Sequence, residues 1–513
     1  MALALSAGRS LVFIGFMGAG KTSAARAVAA DLGRKAIDAD ALVERAITMP
    51  IAEYFERHGE PAFREQEERV VGELLERARD EVVALGGGSL HSERVRAALA
   101  RHVAVLLEVE PEVAWQRATG PGRPLARDLK GFQVLYAQRQ PVYERLADAI
   151  LPAGGRTAAL LALPALVALT HAPPGTRMLF ARAASGEYPV YLRRGLLGTG
   201  FWPPGRGRRF LVTDERVGPL HADALGRVQT RIEIPPGEEH KTLATAETVL
   251  RALARAGATR ADDVVALGGG VVGDLAGFCA ATYQRGVPVI GLPTTLVAQV
   301  DSAYGGKTGV DLPEGKNYAG AYHQPAAVLV DPGMLETLPA AELAAGYAEV
   351  LKTALIAGGP LWERVRAGAT GVEDEVILGC ARAKLAIVAA DERDAGERQK
   401  LNLGHTVGHA IEQATSYRRY RHGEAVGLGL LAALRLSGQE ALRAEVAGLL
   451  AGRGLPVTLE ADPAAVVEAT ARDKKRLGAE RVPFVLVDAP GKVRTGRPVA
   501  DAELRAAVEE LIG

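Results

Sequence analysis

Gly15-Phe16-Met17-Gly18-Ala19-Gly20-Lys21-Thr22 has the form G-x-x-x-x-G-K-T. Glycines so spaced let successive backbone N–H groups turn inward onto phosphate oxygens. The lysine adds a point charge at the outer phosphates, and the threonine a hydroxyl for magnesium. The motif calls for a nucleoside triphosphate and leaves the acceptor open. Residues suited to an acceptor follow: Asp38 and Asp40, Arg64, Gly86-Gly87-Gly88, Arg123 and Arg139. Two carboxylates near such a loop can hold magnesium waters and orient a hydroxyl. Arg64 and Arg139 can fork onto a carboxylate, and three glycines let a ligand lie on bare backbone. Taken alone, Arg64 beside Glu65 reads equally well as a solvated helix pair.

A second constellation begins at Gly268-Gly269-Gly270-Val271-Val272-Gly273-Asp274. These glycines can bring backbone onto a pyrophosphate, and Asp214 can hold a ribose. The pattern departs from G-x-G-x-x-G, so by itself it does not name a dinucleotide. Farther on stand Glu349, then His405 and His409 four residues apart, then His422. Only ten histidines occur in the chain. His405 and His409 share a face if helical. One carboxylate with two imidazoles is a zinc catalytic set, and the spacing leaves open which two histidines ligate.

The elements needed to position these residues are legible as periodicity. Arg9–Gly15, Val82–Leu85 and Val103–Leu107 read as strands separated by helices, the mark of a parallel α/β sheet. Thr157–Leu169 reads as a helical tail, and His171-Ala172-Pro173-Pro174-Gly175 cannot continue it. A second α/β pattern follows, with strands expected at Arg209–Thr213, Val264–Leu267 and Val287–Leu292. Past Met334 the sequence becomes Ala/Leu/Glu-rich and helical. The expected organisation is therefore an α/β P-loop domain with a parallel sheet (1–170), a linker (171–177), a second α/β domain (178–333) and a mostly helical domain (334–513).

The chain has 513 residues, with 61 basic and 61 acidic side chains. That balance gives no bulk attraction to nucleic acid or to an acidic membrane. Cys279 and Cys380 form no Cys-x-x-Cys pattern, as expected of a reduced, cytoplasmic setting. Met1–Ser10 has no cleavable-signal pattern. The longest apolar stretch, Ala158–Ala172, is too short to span a membrane.

In order and spacing, the motifs from residue 9 to about 170 resemble the shikimate kinase family. That resemblance implies ATP with Mg2+ at Gly18, Ala19, Gly20, Lys21, Thr22, Asp38 and Arg123. It implies shikimate at Asp40, Arg64, Gly86, Gly87, Gly88 and Arg139, with Lys21 and Arg123 acting on the transferred phosphoryl group. Ala126 departs from the usual leucine.

The second constellation adds Pro293-Thr294-Thr295-Leu296-Val297-Ala298-Gln299-Val300-Asp301, Gly305-Gly306-Lys307 and Lys316-Asn317. Together they resemble 3-dehydroquinate synthase over about residues 178–510. That resemblance implies a zinc or cobalt ion on Glu349, His405 and His422. It implies NAD at Asp214, Glu238, Lys241, Gly269, Gly270, Asp274, Thr294, Thr295, Lys307 and Lys316. Substrate is implied at Arg285, Lys307, Asn317, Lys352, Lys384, Arg398, Asn402, His409 and Lys474, with Asp301, Lys352 and His409 catalytic. Arg285 would reach the partner subunit's site, which implies a homodimer. Asp394 replaces the family's usual Glu, and Glu397 an apolar residue. The competing expectations are a kinase of another small hydroxy acid, joined to a different sugar-phosphate cyclase or to a metal-dependent polyol dehydrogenase.

Overall fold

The computed structural model describes residues 4–6, 8–118, 128–205, 207–476 and 483–512, with backbone alone at 471–476. The chain forms two compact units. One comprises residues 1–182, 187–191 and 201–205, the other residues 183–186, 192–200 and 206–513.

In the first unit Leu11–Ile14 (β1) is buried along its whole length. This is the pattern of a central strand covered on both faces. It is followed by Ala36–Asp38 (β2), Val82–Ala84 (β3), Val103–Leu107 (β4), Ala149–Leu151 (β5), Arg177–Ala183 (β6) and Gly186–Leu192 (β7). The strand order is β2-β3-β1-β4-β5-β6-β7, and pairing is parallel from β2 through β6. The expected helical tail is two helices, Arg156–Leu161 and Leu163–His171. Pro164, at the start of the second, is tolerated where its missing N–H would be unpaired anyway. The helix Ile51–Arg77 kinks at Gly59, φ 79° and ψ 170°, just before Pro61.

In the second unit the strands are Arg209–Asp214 (β8), Thr230–Ile234 (β9), Asp263–Gly268 (β10), Val289–Pro293 (β11), Lys307–Leu312 (β12), Gly315–Tyr322 (β13) and Ala327–Val330 (β14). Their parallel order is β14-β11-β10-β8-β9, and β12 with β13 forms a separate antiparallel hairpin. The chain order reverses between β8 and β10, which opens a crevice at their carboxyl ends. Phe210, Val212, Leu275, Cys279 and Val289 belong to the core beneath it.

The rest of this unit is mainly helical and ends in a hairpin, Pro483–Ala489 (β15) with Lys492–Pro498 (β16), that the sequence reading did not anticipate. Small residues let three helices touch backbone to backbone. A Cβ on Gly429 would strike the Gly404 carbonyl oxygen, one on Gly408 would lie 3.2 Å from Ala425 O, and one on Gly423 would strike Ala345 O. These contacts bring Ala340–Ala357, His405–Ala414 and His422–Leu436 together. Among the described residues no helix is long and apolar enough to cross a membrane.

Candidate active sites

β1 delivers the phosphate-loop glycines, and Gly15, Gly18 and Gly20 have φ of 136°, 84° and 90°. At Gly18 a Cβ would sit 2.6 Å from the Ala114 carbonyl oxygen, so left-handed backbone and close approach both demand glycine. Lys21 opens the helix Lys21–Asp31. Its Nζ donates to Gly15 O at 2.9 Å and Phe16 O at 3.1 Å, so the loop wraps its own cation. The loop opens onto a cavity of about 590 Å3 that Asp38, Asp40, Arg64 and Arg139 also line.

Across that cavity each acid-binding side chain meets one glycine of the Gly86–Gly88 turn. A Cβ on Gly86 would strike Asp40 Oδ1, one on Gly87 would lie 3.8 Å from Arg139 Nη1, and one on Gly88 would strike Arg64. The turn therefore makes room for side-chain heads as well as for a ligand. Asp38 accepts from the Asp40 N–H at 3.2 Å. Enclosure, then the charges of Asp38, Glu67 and Glu44, push the Asp40 carboxyl up, and Lys21 opposes them. Asp40 stays open to the cavity although protein surrounds it. Arg64 lies over the Phe55 and Phe63 rings and donates to Glu60 and, at 2.5 Å, to Glu67. Glu67 is buried and accepts from Ser89 Oγ. The sequence reading missed it, although three residues after Arg64 on a helix is a neighbouring position. Arg123 and Ala126 lie outside the described residues.

In the second unit Glu349 is buried on the helix Ala340–Ala357. His405 and His422 each open a helix. Their Nε2 atoms lie 3.6 and 3.4 Å from Glu349 Oε1. Neither Glu349 oxygen accepts a well-formed hydrogen bond. Lys352 Nζ makes a charge contact with Oε2 at 2.5 Å. A tetrahedral ion with bonds of about 2.0–2.1 Å spaces its ligand atoms about 3.3–3.4 Å apart, so the three groups fit a metal. Burial holds the His405 imidazole down to about 3. Burial lowers His422 too, but its contacts with the Glu349 and Glu412 carboxylates outweigh this and raise it to about 10. Glu412 was also missed by sequence. It is buried, with Oε2 3.4 Å from His422 Nδ1, the arrangement that fixes a ligand histidine's tautomer. Its only sequence signal is helical spacing from His409.

Behind this set lies a buried ion cluster. Asp301 sits on a π-helical turn, Ala298–Ser302, anchored by Gln299 Nε2 donating to Pro293 O at 3.1 Å and Asp331 O at 2.9 Å. Lys352 donates to Asp301 Oδ2 at 2.6 Å, and Lys384 to Asp301 O at 2.6 Å and to Oδ1. Burial works against the Asp301 charge, but both lysines outweigh it and hold its pKa below the usual range. Burial pulls the Lys384 ammonium down.

A cavity of about 1330 Å3 lies at the crevice. Asp214 and Gly269 line it from the ends of β8 and β10, and Gly270 opens a 13-residue helix there. Thr294 and Thr295 border it after β11, Lys316 and Asn317 at the start of β13, and His409 and His422 opposite. Lys241 is buried among Glu238 (2.8 Å), Asp274 (3.2 Å) and Asp311 (3.8 Å). Burial lifts Asp274 to about 6 despite Lys241. Carboxylates outnumber the ammonium here, which leaves acceptor oxygens for ribose hydroxyls.

Other expected residues lie apart from this cavity. Lys307 pairs with Asp394 at 2.5 Å, and Asp394 has φ 65°. Arg398 is buried and donates to Glu392 O at 2.5 Å and Gly305 O at 3.1 Å. Glu397 pairs with Lys400, and Asn402 is exposed at the end of a short helical turn. Arg285 is exposed on a turn with φ 70°. The Lys474 side chain lies outside the described residues.

A phosphate-loop unit of kinase type and a crevice-plus-metal-set unit of cyclase type define a two-enzyme chain. Residues 231–345 match the 3-dehydroquinate synthase N-terminal family model, residues 346–476 its C-terminal model, and residues 17–169 the shikimate kinase model. The 3-dehydroquinate synthase of Halorhodospira halophila is 45% identical over 346 residues, 63% of this chain and 96% of the relative. A solved 2-deoxy-scyllo-inosose synthase, complexed with carbaglucose-6-phosphate, NAD+ and Co2+, is 25% identical with a TM-score of 0.59. The match covers 65% of this chain and 100% of that one. The 2-epi-5-epi-valiolone synthase of Streptomyces hygroscopicus, with NAD+ and Zn2+ bound, is 28% identical with a TM-score of 0.58, over 63% of this chain and 96% of that one. The chain belongs to the 3-dehydroquinate synthase family, carries a shikimate kinase domain ahead of it, and is a bifunctional enzyme of the shikimate pathway.

Proposed function

We propose that the first unit transfers the terminal phosphoryl group of ATP, with Mg2+, to a shikimate hydroxyl. The second unit converts 3-deoxy-D-arabino-heptulosonate 7-phosphate to 3-dehydroquinate and releases phosphate, with NAD and a zinc or cobalt ion. The kinase reading rests on one cavity shared by Lys21, Asp40, Arg64 and Arg139. The cyclase reading rests on the convergence of Glu349, His405 and His422.

In the first unit Lys21 steadies the moving phosphate charge, Asp40 orients the acceptor hydroxyl, and Arg64 and Arg139 grip the carboxylate. By the resemblance, Arg123 acts on the transferred phosphoryl group. In the second, Glu349, His405 and His422 would hold the metal, while Gly269 and Gly270 give backbone to the NAD pyrophosphate. When bound, the metal supplies a Lewis acid for vicinal hydroxyls, and NAD a hydride acceptor regenerated within each turnover. Lys352 and Lys384 exchange their bonds to Asp301 for the anionic groups of the substrate, and Asp301 and His409 hold its hydroxyls. The remaining roles follow the assignment by resemblance given above.

The domain limits are 1–170, 178–333 and 334–513, with the linker 171–177 between the first two. The enzyme works as a homodimer in which Arg285 serves the partner's site, is cytoplasmic, and binds no nucleic acid.

One purified sample, assayed for both reactions, tests the proposal. Shikimate phosphorylation should persist with a zinc chelator when Mg2+ is kept in excess. Phosphate release from the heptulosonate should stop and return with added zinc or cobalt. Net NADH accumulation would instead indicate a polyol dehydrogenase.

A further inference from the structure

Tyr143 has no part in the chemistry described so far, yet its hydroxyl reaches the substrate turn of the first unit. The side chain is 2% exposed. Its hydroxyl donates to the Gly87 carbonyl oxygen at 2.5 Å. Arg139 Nη1 donates to that same oxygen at 3.3 Å. Arg139 is itself 5% exposed, lines the cavity, and its buried Nε has no hydrogen-bond partner. A buried guanidinium with unused donors is built to receive an anion.

The two donors share one carbonyl oxygen, which has two lone pairs to accept them. The neutral hydroxyl makes the shorter bond, and the charged guanidinium the longer and weaker one. Burial pushes the Tyr143 phenol up to about 12, so it remains a donor through the working range. Without that hydroxyl, Gly87 O would be left to Arg139 alone, and a charged donor would close onto it. The guanidinium would then turn part of its fork from the cavity toward the backbone.

We propose that Tyr143 is a positioning residue for the hydroxy-acid substrate: by holding the Gly87 carbonyl it keeps the Arg139 fork available for the substrate carboxylate. This rests on the kinase reading above. It differs from a structural role because it acts on one substrate and leaves the nucleotide alone.

The test is steady-state kinetics of full-length Tyr143→Phe against wild type. The KM for shikimate should rise about tenfold, with kcat and the KM for ATP within about twofold. Tyr143→Met, which also lacks the hydroxyl, should repeat the split and stands in if the Phe variant folds poorly. Combining Tyr143→Phe with Arg139→Lys should raise the KM for shikimate less than the product of the two single effects, since both act through one group. An unchanged KM for shikimate, equal rises in both KM values, or independent effects in the double variant would each overturn the proposal. If the wild type phosphorylates another hydroxy acid, the same split is read on that substrate. A wild type that phosphorylates none would overturn both this inference and the kinase reading.

Discussion

In the first unit the groups suited to grip an acid face open cavity space across a turn of bare glycines. In the second, Lys352, Lys384, Asp301 and Glu349 are buried against one another, two cations with two anions. Phosphoryl transfer needs positioning and charge at the phosphates, and backbone amides supply much of that. The cyclase must hold and release several charged groups in turn, and side chains already paired keep the charge balanced while the site is closed. Removing one partner of such a buried set leaves an uncompensated charge.

The largest expected effect separates the two sites outright. Lys21→Ala should lower shikimate phosphorylation by at least about a thousandfold and leave heptulosonate cyclisation within about twofold. Glu349→Ala should do the reverse, with zinc lost by elemental analysis. Comparable loss of both activities in either folded variant would break the two-site comparison. Next is the exposed Arg285, whose strained turn contrasts with the buried cluster. Arg285→Ala should cut cyclisation strongly while NAD and metal remain bound. After subunit exchange with Asp301→Ala chains, activity should exceed the sum of the two parents. Heterodimers without such a gain would refute a shared site.

Two smaller effects sharpen the contrast. Glu412→Gln keeps the shape of the side chain but replaces the carboxylate that faces His422, and zinc affinity by competition calorimetry should fall about 10–100-fold. Unchanged affinity would remove Glu412 from the metal site.

His102, in the first unit, accepts from Ser10 N–H at 3.3 Å through Nδ1 and lies 2.8 Å from Leu75 O through Nε2. Only the neutral ring satisfies both. Burial first, and then Arg79, Arg101 and Arg9, hold its pKa below the usual value, against a raising contribution from the Leu75 carbonyl. The stability it contributes is therefore full above the unfolded-state value of about 6.5 and is lost as pH falls below it. Protection of the β1 amides against hydrogen exchange, corrected for the intrinsic rate at each pH, should fall between about pH 6.5 and 5.5. His102→Gln, which can accept and donate at the same places, should flatten that dependence. An unaltered profile in the variant would assign it to other groups.

What the sequence revealed differs between the units for a physical reason. The phosphate loop is contiguous and made of backbone, so its spacing alone declares it. The buried cluster joins residues 51 and 83 positions apart, so the residues could be named while their mutual pairing could not. Glu412, Glu67 and Tyr143 act by holding another residue, and nothing in their local spacing distinguishes them from ordinary helix positions. The β15–β16 hairpin was hidden in a stretch read as helical. Its signal was the apolar run Phe484–Val487 before Pro490-Gly491, where Gly491 takes φ 83°.

The glycine turn Gly86–Gly88 has a consequence for variation in this chain. In a saturation library scored by growth without aromatic amino acids, codons 86 and 88 should tolerate almost nothing, yet each should have its own suppressor, whereas codon 87 should admit alanine. Alanine at 86 collides with Asp40 and at 88 with Arg64, while at 87 it only meets Tyr143 Oη and Arg139 Nη1 at 3.6 and 3.8 Å. Second-site revertants of Gly88→Ala should therefore cluster at Arg64 and its partners Glu60 and Glu67. Those of Gly86→Ala should cluster at Asp40, and the two lists should barely overlap.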